Sequence, residues 1–360
     1  SPGAEALPAT APPSTAAPAA TPALSPGRRV WLRFRRNRRG LVSLWVFVVL
    51  FALSLCAELL SNDKPIVARY DGHLFFPLWR DYPEATFGGD FPSMADYLDP
   101  FIVEQFDKPG NWAIYPPNRY SYNTINYFAP SPNPAAPNAE NLLGTDDRGR
   151  DVLARLLYGF RVSVLFSLAL TAVGVVIGIL FGAVQGYFAG RFDLTMQRLI
   201  EIWASMPELY LLIILSSIFE PGLLILLVVL SLFGWMTLSD YVRAEFLRNR
   251  SLEYVTAARA LGLSNRQIIW RHILPNSMTP VLAFLPFRMS GGILALTSLD
   301  FLGLGVPPST PSLGELLAQG KGNLDAWWIS LSTFSVLVLM LMLLIFIGEA
   351  LRDALDTRRG

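Results

Sequence analysis

The sequence predicts an all-α membrane protein with six transmembrane helices and a long extracytoplasmic loop between helices 1 and 2. Of its 360 residues, 52% are hydrophobic and only 16% are charged. The apolar residues are grouped into runs long enough to cross the hydrocarbon core of a bilayer. Arginine is concentrated in segments between these runs, and this distribution determines how membrane proteins are oriented.

Six segments fit a membrane span. Four of them contain no Asp, Glu, Lys or Arg: residues 41–57, 162–190, 221–239 and 326–348. The other two contain one charged residue each, namely Glu208 within residues 202–219 and Arg288 within residues 277–299. Apolar runs of this length, separated by short polar segments, are typical of a chain that crosses the membrane several times.

The arginines predict that both ends of the chain are cytoplasmic. Residues 28–39 contain seven arginines directly before the first span, and residues 243–271 contain six more. Both segments are cytoplasmic under the positive-inside rule, and six spans return the chain to its starting side. The remaining conflict concerns Arg148, Arg150, Arg155 and Arg161, which are then external. We accept it because long loops cross the membrane largely regardless of charge.

The spans divide the chain into four parts. Residues 1–27 are an Ala/Pro-rich tail that we expect to be disordered, and residues 28–60 contain the basic segment and the first span. The extracytoplasmic loop 61–160 is rich in aromatic, Pro and Asn residues. It is either a docking surface for an external partner or a cap on the protein's own outer face. Residues 161–360 form the membrane core, which includes a cytoplasmic loop at 243–276.

Glycine recurs at every fourth position along the second span. The five residues are Gly174, Gly178, Gly182, Gly186 and Gly190. They follow a nearly straight stripe on one helix face, which allows a neighbouring helix to approach to backbone contact. We favour helix packing over pore lining as the role of this stripe, and a smooth seam also lets neighbouring helices slide.

A polar segment at residues 253–276 separates the fourth and fifth spans. Residues 253–261 are good helix formers, and Gly262 stands where a helix can end in the left-handed conformation. Ser264 and Gln267 are spaced as a capping box for a second helix, which we expect Pro275 to end. The apolar face of that helix consists of Ile268, Ile269, His272 and Ile273. This short helix–turn–helix is too small to fold alone, so it should dock onto another surface.

Prolines predict irregular geometry in two spans. Pro207 is expected to break the third span near Glu208, and Pro280 and Pro286 are expected to bend or locally open the fifth. Each proline removes one backbone hydrogen bond and crowds the preceding turn.

Arg288 is the most deeply placed charge. A charge at the centre of a bilayer costs on the order of 2.5–3.5 kcal/mol on insertion scales unless it is paired or hydrated. One interpretation is an ion pair with a carboxylate such as Glu208 or Asp240. The other is a translocation path containing Arg288 and Glu208, in which Arg288 provides a cationic group for a substrate carboxylate.

We identify no catalytic, cofactor-binding or metal-binding residues. The chain has three lysines, none of them in a phosphate-binding GxxxxGK[ST] motif, and it lacks GxSxG and HExxH. One cysteine, Cys56, excludes an internal disulfide, and two histidines disfavour a zinc site. A net charge of +1 gives no support for nucleic-acid binding. If transport here uses ATP, another subunit must hydrolyse it.

The segment 253–276 resembles the EAA loop of ABC-importer permeases, the coupling helix that sits in a groove of the ATPase subunit. The residues that carry the resemblance are Glu253, Thr256, Ala257, Ala258, Gly262, His272, Leu274 and Pro275. Glu is usual in that family at the position of Thr256, and an apolar residue at that of His272. The resemblance implies that small residues allow close approach to the ATPase, and that Leu274 and Pro275 end the helix stiffly and pass force to the fifth span.

Three further segments resemble, in the same order, signatures of dipeptide and oligopeptide permeases. They are LGTDDRGRDVLARLLYG (143–159), LDFLGLGVPPSTPSLGELLAQG (299–320) and GEALRDALD (348–356). Residues 43–72 resemble Yej-type permeases of bacterial peptide and microcin C import. The sequence is identified as a member of the C-type peptide-permease family. Membership implies the type I ABC importer permease fold, a bacterial inner-membrane location and a transport subunit that is not itself an enzyme.

The resemblance also implies an assembly of several chains. Its other members would be a second homologous permease, ATPase subunits that bind ATP and Mg, and a periplasmic binding protein that delivers peptide. The alternative is a secondary transporter or channel subunit that works without an ATPase. Internal repeats, usual in the former, and pore-lining charge rings, required in the latter, are not evident in the sequence.

Overall fold

The computed structural model describes residues 24–359, which are mainly helical. Residues 1–23 of the predicted tail 1–27 lie outside this range. The first helix begins at Pro26, within the last residues of that tail. In chain order the helices are α1 (Pro26–Arg36), α2 (Arg38–Leu55), α3 (Ala57–Leu60), α4 (Pro100–Asp107), α5 (Val152–Phe188), α6 (Gly190–Ala204), α7 (Glu208–Ile218), α8 (Leu223–Gly234), α9 (Met236–Asn249), α10 (Glu253–Ala260), α11 (Asn265–Gln267), α12 (Leu274–Phe301), α13 (Leu313–Gly322) and α14 (Trp327–Leu355). A π-helical turn, Ile268–Ile273, joins α11 to α12.

Within residues 24–359, five helical stretches are long and apolar enough to cross a membrane. They are Arg38–Leu55, Val152–Phe188, Leu223–Asn249, Asn265–Phe301 and Trp327–Leu355. A sixth span exists if α6 and α7, which are bent by 60° at a short break, count as one. The break lies at residues 205–207, so the predicted interruption at Pro207 is confirmed. With α6 and α7 counted as one bent span, the described residues contain all six predicted spans.

The fifth span is more continuous than predicted. Pro280 and Pro286 both lie inside α12, which continues through them without a break. A proline removes only its own hydrogen bond to the preceding turn, and the intact bonds on either side keep the backbone helical. The expectation that these prolines open the span locally is therefore wrong.

The glycine-rich face of α5 lies against α9. A methyl group built on Gly182 would be 2.5 Å from the carbonyl oxygen of Ser239, and one built on Gly186 would be 2.5 Å from the Cβ of Phe246. At Gly178 the nearest α9 atom would be 3.1 Å away. The backbones of the two helices are thus in direct contact. Gly190 differs from the prediction, since it begins α6 with φ +60° and a methyl group there would meet nothing within 4 Å.

Residues 61–151, here called the connecting segment, join the first two spans and fold into a small unit of their own. An antiparallel sheet of order β2-β1-β3 is formed by β1 (Val67–Tyr70), β2 (His73–Phe75) and β3 (Trp112–Ile114). Its core contains Ala68, Phe87, Tyr97, Ile102 and Phe106, all buried. α5 begins at Val152, so its first residues lie within the predicted loop 61–160.

The connecting segment packs on the protein's own helices. The Tyr158 hydroxyl of α5 donates to the Ser61 carbonyl at 2.7 Å, and the Trp328 indole of α14 donates to the Thr145 carbonyl at 3.2 Å. This is the cap-like arrangement, one of the two interpretations of the loop. Two large aromatic side chains stay outside the packing, Tyr127 at 81% and Phe128 at 76% exposure.

Replacing Gly182 with Ala should destabilise the protein by about 1–3 kcal/mol, because the added methyl group overlaps the backbone of α9. Thermal unfolding of the detergent-purified protein measures the effect. Gly291→Ala is the matched control, since nothing lies within 4 Å of a methyl group on this α12 glycine. It should be neutral or stabilising by up to about 1 kcal/mol. Equal stability of the two variants would contradict close packing of α5 and α9.

Candidate functional site

Residues 253–276, here called the insert, have the predicted helix–turn–helix form. α10 is followed by Gly262, whose φ of +81° is in the left-handed region that favours glycine. Ser264 and Gln267 form a capping box. The Ser264 hydroxyl accepts from the Gln267 N–H at 3.3 Å, and the Gln267 side-chain oxygen accepts from the Ser264 N–H at 3.1 Å. These local bonds fix the angle at which the second helix begins.

One face of the insert packs against its own chain. Val255, Ile268 and Ile273 are fully buried, and they belong to one apolar cluster with Phe246 of α9 and Ala183 of α5. The expectation that the apolar side docks onto another surface is confirmed, and that surface is made by the adjoining ends of α5 and α9. The insert therefore rests on the helix pair that the glycines hold together.

Polar contacts add to this packing. The Tyr187 hydroxyl at the end of α5 donates to the side-chain oxygen of Asn265 at 2.6 Å, and the Arg259 guanidinium lies 5.8 Å from the Tyr187 ring centroid. The Asn249 side chain of α9 donates to the Ser277 hydroxyl at 3.1 Å. The insert is thereby tied to one end of α5, and the connecting segment lies at the other end, as the predicted topology requires.

The opposite face of the insert is open. Its exposed residues include Glu253, Thr256, Ala257, Leu261 and Gly262. Leu261 is 82% exposed, which is unusual for a large apolar side chain in a folded segment. Ala258 differs from the prediction. It is only 4% exposed because its position, three residues after Val255, lies on the inner face of α10.

Pro275 does not end the helix as predicted. It is the second residue of α12 and directly follows the π-helical turn Ile268–Ile273, so the helix is continuous over Asn265–Phe301. Proline lacks a backbone N–H, and the changed hydrogen-bond register of a π-helical turn accommodates it. The Asn276 side-chain amide donates to the His272 carbonyl at 2.7 Å and supplies a donor beside the proline. His272 and Leu274 are themselves partly buried, whereas Pro275 is exposed.

Arg288 lies near the middle of α12 and is partly buried. Its guanidinium occupies the space above Gly234 at the end of α8 and lies close to Gly174 of α5. Among the described residues, no carboxylate is within 4 Å of it. A direct ion pair with Glu208 or Asp240, one of the two interpretations, is therefore not formed, and Glu208 interacts with Arg288 electrostatically at longer range.

Two of the signature segments meet in a buried ion-pair cluster made of Asp146, Arg150, Arg155 and Glu315. Arg150 pairs with Asp146 at 2.8 Å and with Glu315 at 3.2 Å, and Arg155 pairs with Glu315 at 2.8 Å. The Arg155 and Asp146 side chains are completely inaccessible to solvent. The cluster joins the end of the connecting segment and the start of α5 to α13.

Three of the four arginines that conflicted with the positive-inside rule are paired with acids. Besides Arg150 and Arg155, Arg161 is paired with Glu58 at 2.8 Å. The pairs lower the cost of burying these arginines, but the rule counts arginines and not net charge, so the conflict itself is not removed. Sequence reasoning missed Glu315 as a partner. An excess of arginine on the disfavoured side indicates that acids must lie nearby, but it does not identify an acid 160 positions away.

Asp151 fixes the start of α5. Its carboxylate accepts hydrogen bonds from Asn118 at 2.7 Å, from Asn141 at 2.9 Å and from the Ala154 N–H at 3.0 Å. Burial raises the pKa of Asp151 above its ordinary value, and the hydrogen bonds from Asn141, Asn118 and Ala154 oppose that rise. The three hydrogen bonds therefore offset part of the cost of burying this carboxylate.

Comparison with known proteins connects this geometry to one family. Residues 174–360 match the family described as binding-protein-dependent transport system inner membrane component, and residues 25–75 match the N-terminal TM domain of oligopeptide transport permease C. The chain is 53% identical over 330 residues to the inner membrane ABC transporter permease protein YejE of Escherichia coli strain K12, covering 92% of this chain and 96% of that protein.

A second relative and one solved structure are also similar to this chain. The peptidoglycan transport system permease protein YejE of Agrobacterium fabrum is 51% identical over 356 residues, covering 92% of this chain and 93% of that protein. An inward-facing structure of the MetNI methionine ABC transporter aligns with a TM-score of 0.47 and 18% identity over 57% of this chain and 97% of that chain.

The fold and the match over more than half of the chain define a membrane permease. The chain belongs to the family of binding-protein-dependent transport system inner membrane components. Its relatives are named as permease subunits of ABC transporters, so the chain is a transport subunit and not an enzyme.

Replacing Glu315 with Gln should destabilise the fold by about 3–5 kcal/mol, because the fully buried Arg155 loses its carboxylate partner. Thermal unfolding of the purified protein measures this loss. Glu201→Gln removes one partner of the exposed Arg198–Glu201 pair, and that control should change stability little or not at all. A Glu315→Gln protein as stable as the control would show that the cluster does not hold α13 in place.

Proposed function

We propose that this chain is the membrane-spanning permease subunit of an ATP-binding-cassette importer that moves oligopeptides or peptide-like compounds from the periplasm to the cytoplasm. The observation that carries the proposal is the insert, which is anchored on one face by α5 and α9 and open on the other. Relatives named for peptide, dipeptide, oligopeptide and peptidoglycan transport support a peptide-like cargo. Microcin C is one such candidate cargo, carried over from the resemblance of residues 43–72.

The proposed assembly contains several partners. ATPase subunits bind ATP and Mg and contact the open face of the insert, and a second homologous permease completes the path. A periplasmic binding protein delivers the peptide on the side of the connecting segment. The family is described as binding-protein-dependent, and this description supports an assembly that includes a binding protein.

Coupling is proposed to act through four exposed residues of the insert: Thr256, Ala257, Leu261 and Gly262. Three of them have small side chains or none, and the fourth, Leu261, projects from the surface. This shape suits a groove in the ATPase. When the ATPases close, the insert is displaced and moves the ends of α5 and α9 with it. The continuous helix Asn265–Phe301 carries the same displacement into the membrane. Hydrolysis of ATP reverses the change.

The proposed orientation places the insert and both ends of the chain in the cytoplasm and the connecting segment in the periplasm. The insert and the connecting segment lie at opposite ends of α5, which supports this orientation. The arginines of α1 and of the insert are then on the cytoplasmic side, where the positive-inside rule favours them.

The translocation path is proposed to pass Arg288 and Glu208. Each is the single charge of its predicted span, and charges at that depth face the interior of a bundle or a water-filled cavity. Glu208 begins α7 directly after the break in the third span, where the backbone is irregular.

Replacing Ala257 with Asp should abolish cargo-stimulated ATP hydrolysis while the permease still assembles in the membrane. An unpaired carboxylate buried in the groove costs on the order of 2 kcal/mol or more, which is about thirtyfold in affinity. The measurement is ATPase activity of the reconstituted complex with and without loaded binding protein. Ala136→Asp makes the same change at an exposed position of the connecting segment and should keep stimulation intact. Normal stimulation in the Ala257→Asp complex would refute coupling through this face.

A further inference from the structure

We propose that Arg288, with the hydroxyl groups of Thr171 and Ser231, forms a site that binds the terminal carboxylate of the peptide cargo in the middle of the membrane. This role rests on the proposed function, because it requires that peptides pass Arg288. It goes further in naming the chemical group that the permease itself recognises.

Arg288 lies deep within its span, where a charge without a partner costs free energy. It is fifteenth of the 28 residues of α12, about 20 Å from either end of the helix at 1.5 Å per residue. A guanidinium at this depth is stabilised by a counter-ion, by water or by a ligand. Within residues 24–359 it makes no ion pair within 4 Å and no hydrogen bond, and part of its side chain remains accessible. Glu208 interacts with it electrostatically at longer range and leaves its hydrogen-bond donors free.

The packing around Arg288 leaves room for its guanidinium. A methyl group on Gly234 would overlap the Nη2 atom, and one on Gly174 would lie 3.7 Å from the same atom. The absence of a side chain at Gly234 is therefore what allows the guanidinium to sit between α5 and α8. Its head group is held at a defined place, as a binding site requires.

Two buried hydroxyls close to this place have no partner. Thr171 and Ser231 are each 7% exposed, and neither hydroxyl oxygen makes a hydrogen bond among the described residues. Each lies three residues before a glycine that faces Arg288, so both are on the helix faces turned toward it. Elsewhere in this chain, Ser277 and Thr297 satisfy their hydroxyls by donating to the carbonyl four residues earlier. Two unsatisfied hydroxyls on the helix faces turned toward a guanidinium without a hydrogen-bond partner are available to an acceptor bound there.

The end of α6 lies against the end of α8 through Trp203, whose indole donates to the Leu232 carbonyl at 2.8 Å. A largely apolar cavity of about 450 Å³ is lined by Ser231 together with Trp203 and Trp235, whereas Arg288 and Thr171 do not line it. Ser231 thus connects the proposed site to a cavity that suits the uncharged body of a short peptide.

A carboxylate matches this set of groups. The planar guanidinium donates to both oxygens of a carboxylate, and hydroxyl donors occupy the remaining lone pairs. The terminal carboxylate is the anionic group that all linear peptides share. A permease that binds it accepts peptides of many sequences, so side-chain selection is left to other subunits.

The test compares uptake of tetra-alanine and of its C-terminal amide by the complete complex in proteoliposomes. The binding protein's affinity for each cargo is measured separately, so that the ratio of uptake rates can be corrected for the preference of the binding protein. The wild type should favour the free acid. Arg288→Gln should slow uptake of the acid by about tenfold or more and leave the amide unchanged, since only the acid loses a charge-assisted bond. Arg288→Lys should be intermediate.

Two further variants guard against loss of folding. Thr171→Val combined with Ser231→Ala removes both hydroxyls with little change in volume and should lower uptake of the acid alone, by about threefold or more. Gly234→Ala displaces the guanidinium and should act like Arg288→Gln, whereas Gly174→Ala, with an ordinary contact distance, should resemble the wild type.

The outcomes separate the carboxylate site from the proposed function. Equal loss of acid and amide uptake in Arg288→Gln, or no loss of either, overturns the carboxylate site while leaving peptide import intact. A wild-type complex that transports neither cargo contradicts the proposed function itself. If a peptide amide with an internal aspartate is affected as strongly as the free acid, the site recognises any carboxylate and the assignment to the terminal group is wrong.

Discussion

The close approach of α5 and α9 is the constraint on which the position of the insert depends. Side chains larger than hydrogen at Gly178, Gly182 and Gly186 would separate the two backbones. Their adjoining ends form the surface on which the insert is packed, with Val255 and Ile268 buried against it. A pattern of glycines in the membrane thus determines where a polar helix–turn–helix is held outside it.

Features governed by neighbouring residues could be predicted from the sequence. The spans, the break at Pro207 and the capping box at Ser264 follow from apolar run length, the missing proline N–H and side-chain capping. Continuity past Pro275 could not be predicted, because it depends on a π-helical turn whose formation is a property of the packed helix. The inward orientation of Ala258 was within reach, since it shares the α10 face with the buried Val255.

Contacts between distant parts of the chain were beyond sequence reasoning. The arginines of residues 148–161 were recognised as a difficulty of the topology, but their partners Glu58 and Glu315 come near them only in the fold. The sheet of the connecting segment was missed for a similar reason. Its strands are three or four residues long, too short for an alternating pattern to stand out. The candidate carboxylate site likewise draws on three helices, and only Arg288 was conspicuous in the sequence.

The unbroken helix Asn265–Phe301 gives the protein a lever arm. Asn265, beside the insert, and Arg288 are 23 residues apart on it, a separation of about 35 Å along the axis. If this rod pivots at the insert by about 5°, Arg288 moves by about 3 Å. A shift of that size takes its guanidinium out of direct contact with Gly234 and beyond hydrogen-bonding distance of a carboxylate held beside α5 and α8. Small rotations at the membrane surface are therefore amplified into the making or breaking of a polar site at the bilayer centre.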